Sequence, residues 1–469
     1  MPEKSNRKIL EKMPKIHSRS LFIFRRDLRC FDNNGLKTAL HQSNEVIPCF
    51  FLDPRQIENH PYQSKPGLQF LIEALQDLDS QLTTLGSKLH VFYAQPENLF
   101  AGLQNKINIE AIYVNRDYTP FSRQRDAALR QACMHNEIAF YSCNDLLINE
   151  PESILTANGT PYQIFSAFYK RSIQTQVDSP AALPNGAIAK IDSLPGIEIL
   201  AEWQKVHHNP LNGGRQPALT ILDNLSHCQE YTHLRDFPAL IGTSNLSVYL
   251  KFGCCSIREA YFAVMQKYGP DHALLRQFYW RDFFCHIGWH FPQVFGHAFH
   301  QEYDKISWRN DLSEFQRWAN GTTGFPIVDA GMRQLNTTGM MHNRVRMIVA
   351  SFLVKDLQIS WRWGERYFAQ HLLDYDPCLN NGNWQWSAST GCDAQPYFRI
   401  FNPWLQQQKF DPDCVYIKHW IPELKQVSST IIHQWFIRPV AGTYPEAMLN
   451  HTFRSQQTKI LYQQARQFE

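Results

Sequence analysis

The chain has 469 residues and a formal net charge of only +3, with 43% hydrophobic residues, 13% aromatic residues and 12 Trp. At about 150 residues per domain, that length calls for two or three domains. The charge excludes a histone-like binder, so any nucleic-acid site must be a local patch, and no run of about 18 apolar residues exists to cross a membrane.

The first 20 residues carry six Lys or Arg against two Glu. They lack the apolar centre of a secretory signal and read as a solvated basic tail. "LFIF" (21–24), "VIPCFFL" (46–52), "LHVFY" (89–93), "AIYV" (111–114) and "IAFYS" (138–142) then read as buried strands. Leu71, Leu75, Leu78, Leu82 and Leu85 share one helical face, and a second helix is predicted from Thr119 to His135. Strands alternating with helices argue for a Rossmann-like α/β domain with a parallel sheet over 18–150. No G-x-G-x-x-G follows the first strand; the turn reads "RRDLRCFDNNGL". The layers alone therefore do not make this a dinucleotide-binding domain.

Residues 151–217 read as an interdomain connector, punctuated by Pro180, Pro184, Pro195, Pro210 and Pro217. From 218 to 469 the pattern is helical, as in 255–268, 272–289, 312–319 and 361–373. Val345, Ile348, Val349, Phe352 and Leu353 mark one buried face. Eleven Cys without a CxxC predict a reduced, cytoplasmic chain with no zinc or iron–sulfur site.

Chemistry concentrates in the helical half. "TSNLS" (243–247) offers hydroxyls at a helix start, either as caps or as a phosphate cradle. Arg344 and Arg346 are two apart in "MHNRVRM" and must face different ways. One can serve an internal acid and the other an external anion, although a surface ion pair reads the same way. Asp374 and Asp376 stand at a helix end in "LLDYDP". "NNGNWQWSASTG" (380–391) sets Trp384 and Trp386 among amides. If that segment is helical, residues two apart point to nearly opposite sides, so the two indoles cannot share a pocket. Spacing alone does not separate two core indoles from two functional ones.

With "FRRDLRCFDNNGL", "TGFPIVDAGMRQLNTTGMMHNRVRM", "NNGNWQWSASTG", "DAQPYFRIFNP" and "YIKHWIPEL", most of the chain resembles the photolyase/cryptochrome family. The resemblance is specifically to class I cyclobutane pyrimidine dimer photolyases. It implies an α/β antenna domain, a connector and a helical FAD domain, working as a cytosolic monomer on UV-damaged DNA with a flipped dimer. By resemblance, Tyr231 and Thr243, Ser244, Asn245, Leu246 and Ser247 hold the FAD phosphates and ribose. Arg346 and Asp374 form an ion pair against the ring, Tyr375 and Asp376 lie near its polar edge, and Asn380 faces N5. Trp384, Trp361 and Trp308 match the electron-transfer chain. Trp280 and Trp386 wall the dimer cavity. Gln277, Arg281, Asn343, Arg344, Met347 and Gln406 line that cavity or grip DNA.

Gln277 stands where such enzymes usually carry Glu, which implies slower repair. Asn343 and Arg344 stand where six-four photolyases need His, and Asn380 where plant cryptochromes carry Asp. Six-four repair and blue-light signalling as a cryptochrome are the alternative functions. The antenna site is left open between a deazaflavin, a second flavin and an empty pocket, with a folate type less favoured.

Overall fold

The structure is a computed structural model and describes residues 15–58, 60–99, 103, 107–203 and 209–466. Residues 1–14, most of the predicted basic tail, lie outside the described residues. β1 (His17–Phe24), β2 (Ser43–Leu52), β3 (His90–Tyr93), β4 (Ala111–Asn115) and β5 (Ala139–Cys143) form a wholly parallel sheet in the order β3-β2-β1-β4-β5. Helices Asn34–Gln42, Lys65–Thr84 and Pro120–His135 connect them. The strand order reverses direction between β1 and β4, so loops at their carboxyl ends part and leave a crevice.

Two sequence expectations shift. Leu75, Leu78 and Leu82 are fully buried, but the helix ends at Thr84 and Leu85 is 45% exposed beyond it. β5 was expected to be buried, yet Ala139, Phe140 and Tyr141 are only half-buried because β5 is the sheet edge. The connector also contributes a strand the sequence did not announce. β6 (Ala187–Ile188) pairs with Glu45 and Val46 of β2, while β3 pairs with Cys49–Leu52. Pro48, which lacks an N–H, falls between those two stretches.

The remaining chain is helical, with the predicted helices at Ile257–Tyr268, Ala273–His290, Leu312–Ala319 and Trp361–His371. Val345, Ile348, Val349, Phe352 and Leu353 lie in one core with Trp318, Trp361 and Trp384. None of the described helices is long and apolar enough to cross a membrane.

The two halves are joined by buried charge. The loop after β1 takes the place of a glycine-rich turn. Arg29 reaches Asp145 at 2.7 Å, and Arg258 of the helical domain reaches Asp32 at 2.9 Å and Asp145 at 2.7 Å. Arg26 bridges Asp117, at 3.2 Å, and Asp376, which caps a helix of the other domain. The loop also donates to the end of helix Ser247–Phe252, from Arg26 Nε to Lys251 O at 3.3 Å and from Leu28 N to Phe252 O at 3.1 Å. Gly253 closes that helix at φ 66°, and a methyl there would sit 2.1 Å from the Arg26 carbonyl oxygen. Only glycine fits both demands.

Burial would raise the Asp117 and Asp376 carboxyls, but Arg26 and Lys251 outweigh it and hold both below the ordinary value. Their contribution to stability is therefore complete above about pH 4 and fades as pH falls through the lower folded values. Arg26→Met strands two buried carboxylates and should cost about 3–5 kcal/mol. It should also move the acid unfolding transition to higher pH; urea titrations at pH 7 and pH 4 measure both effects.

Candidate functional site

Helices Ala273–His290, Asn343–Ser351 and Trp361–His371 each pack against helix Pro377–Ala388. Small residues permit the approach. A methyl on Gly382 would lie 2.1 Å from the Phe284 ring, and one on Gly364 2.1 Å from the Trp384 indole. Asp376 starts the 377–388 helix by accepting from Leu379 N at 3.1 Å.

Along this helix Trp384 and Trp386 diverge as the helical period requires. Trp384 is 2% exposed, with Phe368 at 4.9 Å and Trp318 at 6.3 Å. Trp386 is half-buried on another face. Asn380 lies one turn before Trp384 and donates from Nδ2 to the Glu365 carbonyl oxygen at 2.9 Å. The reverse amide orientation would set two acceptors against each other. Oδ1 is therefore left as the acceptor without a protein partner.

Both arginines of "NRVR" hold carboxylates. Arg346 meets Asp374 through two bonds of 3.1 Å and donates from Nε to Met341 O at 2.8 Å. Arg344 turns away, as expected, but it is not free for an external anion. Nη2 donates to Asp236 at 2.8 Å, and the guanidinium lies 4.4 Å over Phe410. His342 caps the same helix, and burial pushes its imidazole down to about 4, so it is neutral at pH 7.

The "TSNLS" segment is built locally. The Thr243 carbonyl accepts from His227 at 3.1 Å, Ser244 Oγ accepts from Leu246 N at 3.4 Å, and Asn245 takes a left-handed φ of 55°. Leu246 is buried. Helix Ser247–Phe252 begins without a side-chain cap, so side chains leave its first N–H groups unclaimed. Tyr231 is buried nearby in sequence, 6.2 Å from the His272 ring.

Trp280 stacks on Phe165 at 3.6 Å, with 9° between the planes. One turn earlier, Gln277 donates to Ala273 O at 3.3 Å. Arg281 does not stand with them at an outer surface. It is 8% exposed and donates to the Leu146 carbonyl oxygen at 2.7 Å, because segment 146–149 packs across the helix and its buried carbonyl needs a donor. Asn343 is exposed and meets Met347 Sδ at 3.9 Å. The Gln406 Oε1 is buried without a partner among the described residues.

Trp361 and Trp384 belong to one core and Trp308 packs against it. Their nearest ring partners are other groups: Arg362 lies 4.7 Å over Trp361, and Tyr462 lies 6.1 Å from Trp308.

Tyr375 and Asp376 both meet residues of the α/β domain. The Asp376 carboxylate is spent on Arg26, and Tyr375 stacks on Tyr62 of the α/β domain at 6.4 Å. Tyr375 walls a cavity of about 510 Å³ between the domains, at the carboxyl ends of β1, β2 and β4. Arg26, Arg125, Lys251, Phe51, Phe121 and Glu365 also line it. No motif announced Glu365, Asp236 or Lys251, since each matters only through a partner distant in the chain. Cys285, Asp376 and Cys378 lie within 4.8 Å of one another, but Arg26 already neutralises their carboxylate.

Residues 20–185 match the family model for DNA photolyase, and residues 274–464 match that for the FAD binding domain of DNA photolyase. A deoxyribodipyrimidine photo-lyase from Synechococcus is 38% identical over 95% of this chain and 96% of its own. An archaeal photolyase from Sulfolobus tokodaii, solved with two FAD molecules, superposes with a TM-score of 0.89 at 44% identity, covering 95% of this chain and 100% of that one. A bacterial class III photolyase from Agrobacterium tumefaciens gives 0.89 at 32% identity, covering 97% and 99%.

The tight seat of Trp384 generates a direct test. Gly364→Ala has to push the indole aside, an overpacking that should cost about 1–3 kcal/mol. Thermal unfolding and the intrinsic Trp emission of the purified protein read the destabilisation and the displacement.

Proposed function

The chain belongs to the DNA photolyase family, and from that premise we propose that it repairs cyclobutane pyrimidine dimers in DNA under blue light, with FAD in the helical domain. The observation that carries this reading is the 377–388 helix. It presents Asn380 with its amide locked by Glu365 O at 2.9 Å, Trp384 in the core and Trp386 at the opposite face.

The residues present fit FAD. The uncapped N–H groups at Ser247 suit its diphosphate. The Arg346–Asp374 pair offers a cation beside a ring that carries negative charge when reduced. Asn380 Oδ1 can accept a hydrogen from a ring nitrogen, where a carboxylate would repel an anionic ring. Bound and reduced, FAD supplies one electron to the lesion under light and takes it back. The protein positions everything else. A dimer inside a duplex has to be extruded, which costs a few kcal/mol and least at damaged bases. Stacking on Trp280 and Trp386 offsets that by roughly 1–3 kcal/mol per base. Arg344, released from Asp236, supplies salt-sensitive affinity for phosphate. Gln277 hydrogen-bonds to the lesion but cannot lend it a proton. Trp384, Trp361 and Trp308 serve as the route by which an electron enters from the surface. Asn343 and Arg344, in place of His, favour cyclobutane dimers over six-four lesions.

A second cofactor in the inter-domain cavity is favoured by one specific feature. The Lys251 ammonium lines that cavity with no hydrogen bond among the described residues, and Arg125 lines it too. A flavin-type ring, rich in carbonyl oxygens, suits these donors, and the Sulfolobus relative holds two FAD molecules.

Purified, photoreduced protein should restore thymines in an oligonucleotide carrying one thymine dimer. Intact dimers after blue light, with normal flavin photoreduction, would turn the reading to signalling, and repair of only a six-four substrate would turn it to that lesion. Trp384→Phe should slow photoreduction at least tenfold yet spare repair by chemically reduced enzyme. Reconstitution with excess flavin should give about two flavins per chain by absorbance, against about one after Lys251→Met.

A further inference from the structure

One acidic side chain lines the inter-domain cavity and has no part in the scheme above. Glu365 is 5% exposed on helix Trp361–His371. Its main-chain oxygen holds Asn380. Its carboxyl accepts from Asn381 Nδ2 at 3.0 Å through Oε1 and lines the inter-domain cavity. Asn381 is fixed in turn by Val294 O at 3.0 Å and by Gln385 Nε2 at 3.1 Å. The charged or titratable groups facing Glu365 are Arg362 and Arg366 on its own helix, Tyr62 from the α/β domain and Tyr375 ahead of the next helix. Neither arginine forms a salt bridge with it: Arg362 is bonded to Asp304, and Arg366 is exposed over Tyr62 at 5.8 Å.

We propose that Glu365 is a positioning residue that sets the electrostatic environment of the flavin from behind Asn380, exchanging its proton through the inter-domain cavity. The inference rests on FAD occupying the helical domain as read above. A carboxylate behind the Asn380 amide polarises its site against added negative charge on the ring, so it opposes flavin reduction. The protonated carboxyl does not. Burial pushes this carboxyl up to about 7, with Asn381 and the two arginines opposing. The group therefore changes charge near neutral pH, and the cavity gives that proton a way in and out.

The test is potentiometric. Flavin content of the purified holoprotein is measured first, and the flavin reduction potential is then followed from pH 5.5 to 8.5 in wild type, Glu365→Gln and Arg366→Gln. Glu365→Gln keeps an acceptor for Asn381 and leaves the main-chain oxygen in place. At pH 8.5 it should favour reduction about tenfold over wild type, equivalent to 59 mV for a one-electron couple. At pH 5.5, where wild type is protonated, the two should coincide. Arg366→Gln, at an exposed position, should retain the wild-type inflection and move it to higher pH. Superimposable wild-type and Glu365→Gln profiles, with flavin bound in both, would overturn the inference alone. A wild-type protein that takes up no flavin would overturn the functional reading beneath it.

Discussion

The Arg26 guanidinium is the constraint on which the site depends. It lies between Asp117 of the α/β domain and Asp376 of the helical domain, with Lys251 close by. A buried cation between two carboxylates has little freedom, because any displacement leaves charge unpaired in a poorly polarisable interior. Asp376 is also the N-cap of the helix that bears Asn380, Trp384 and Trp386. The same contact therefore welds the domains and sets where the functional helix begins. A second charge cluster, Arg29 and Arg258 with Asp32 and Asp145, repeats the device a turn of loop away.

The helix Ser247–Phe252 links this clasp to the cofactor region. Its last carbonyls and Gly253 receive the loop after β1, while its first N–H groups lack side-chain caps. One end is tied to the α/β domain, and the other carries no side-chain cap. The 361–371 helix behaves similarly. Gly364 yields space to Trp384, and Glu365 turns one backbone oxygen to Asn380 and its carboxyl to the inter-domain cavity. Glu365 thus ties the helix that bears Asn380 to the wall of that cavity.

The aromatic residues divide by burial. Trp361 and Trp384 are closed within the core, whereas Trp308, Trp280 and Trp386 remain half-buried. Half-buried indoles suit stacking against an incoming base or exchange with solvent. Trp280 has its far side occupied by Phe165, from a segment that sequence reading assigned to the connector. The connector therefore packs directly against the helical domain at Trp280.

The sequence by itself determined the local facts. Apolar runs separated by helical periods specified a parallel sheet followed by a helical domain, because side-chain burial repeats with each element's own period. The two-residue spacing of Trp384 and Trp386, and of Arg344 and Arg346, dictated that each pair diverge on a helix. The long motifs carried the family. Only the tertiary structure decided which partners those diverging side chains met. Asp236 took Arg344, Arg26 took Asp376, Leu146 drew Arg281 inward, and Glu365 held Asn380 while lining the inter-domain cavity. The three arginine pairings join residues from 108 to 350 positions apart. A one-dimensional pattern records the face on which a side chain lies, but buried charges and carbonyls are paired by whatever the packed chain brings within hydrogen-bond reach.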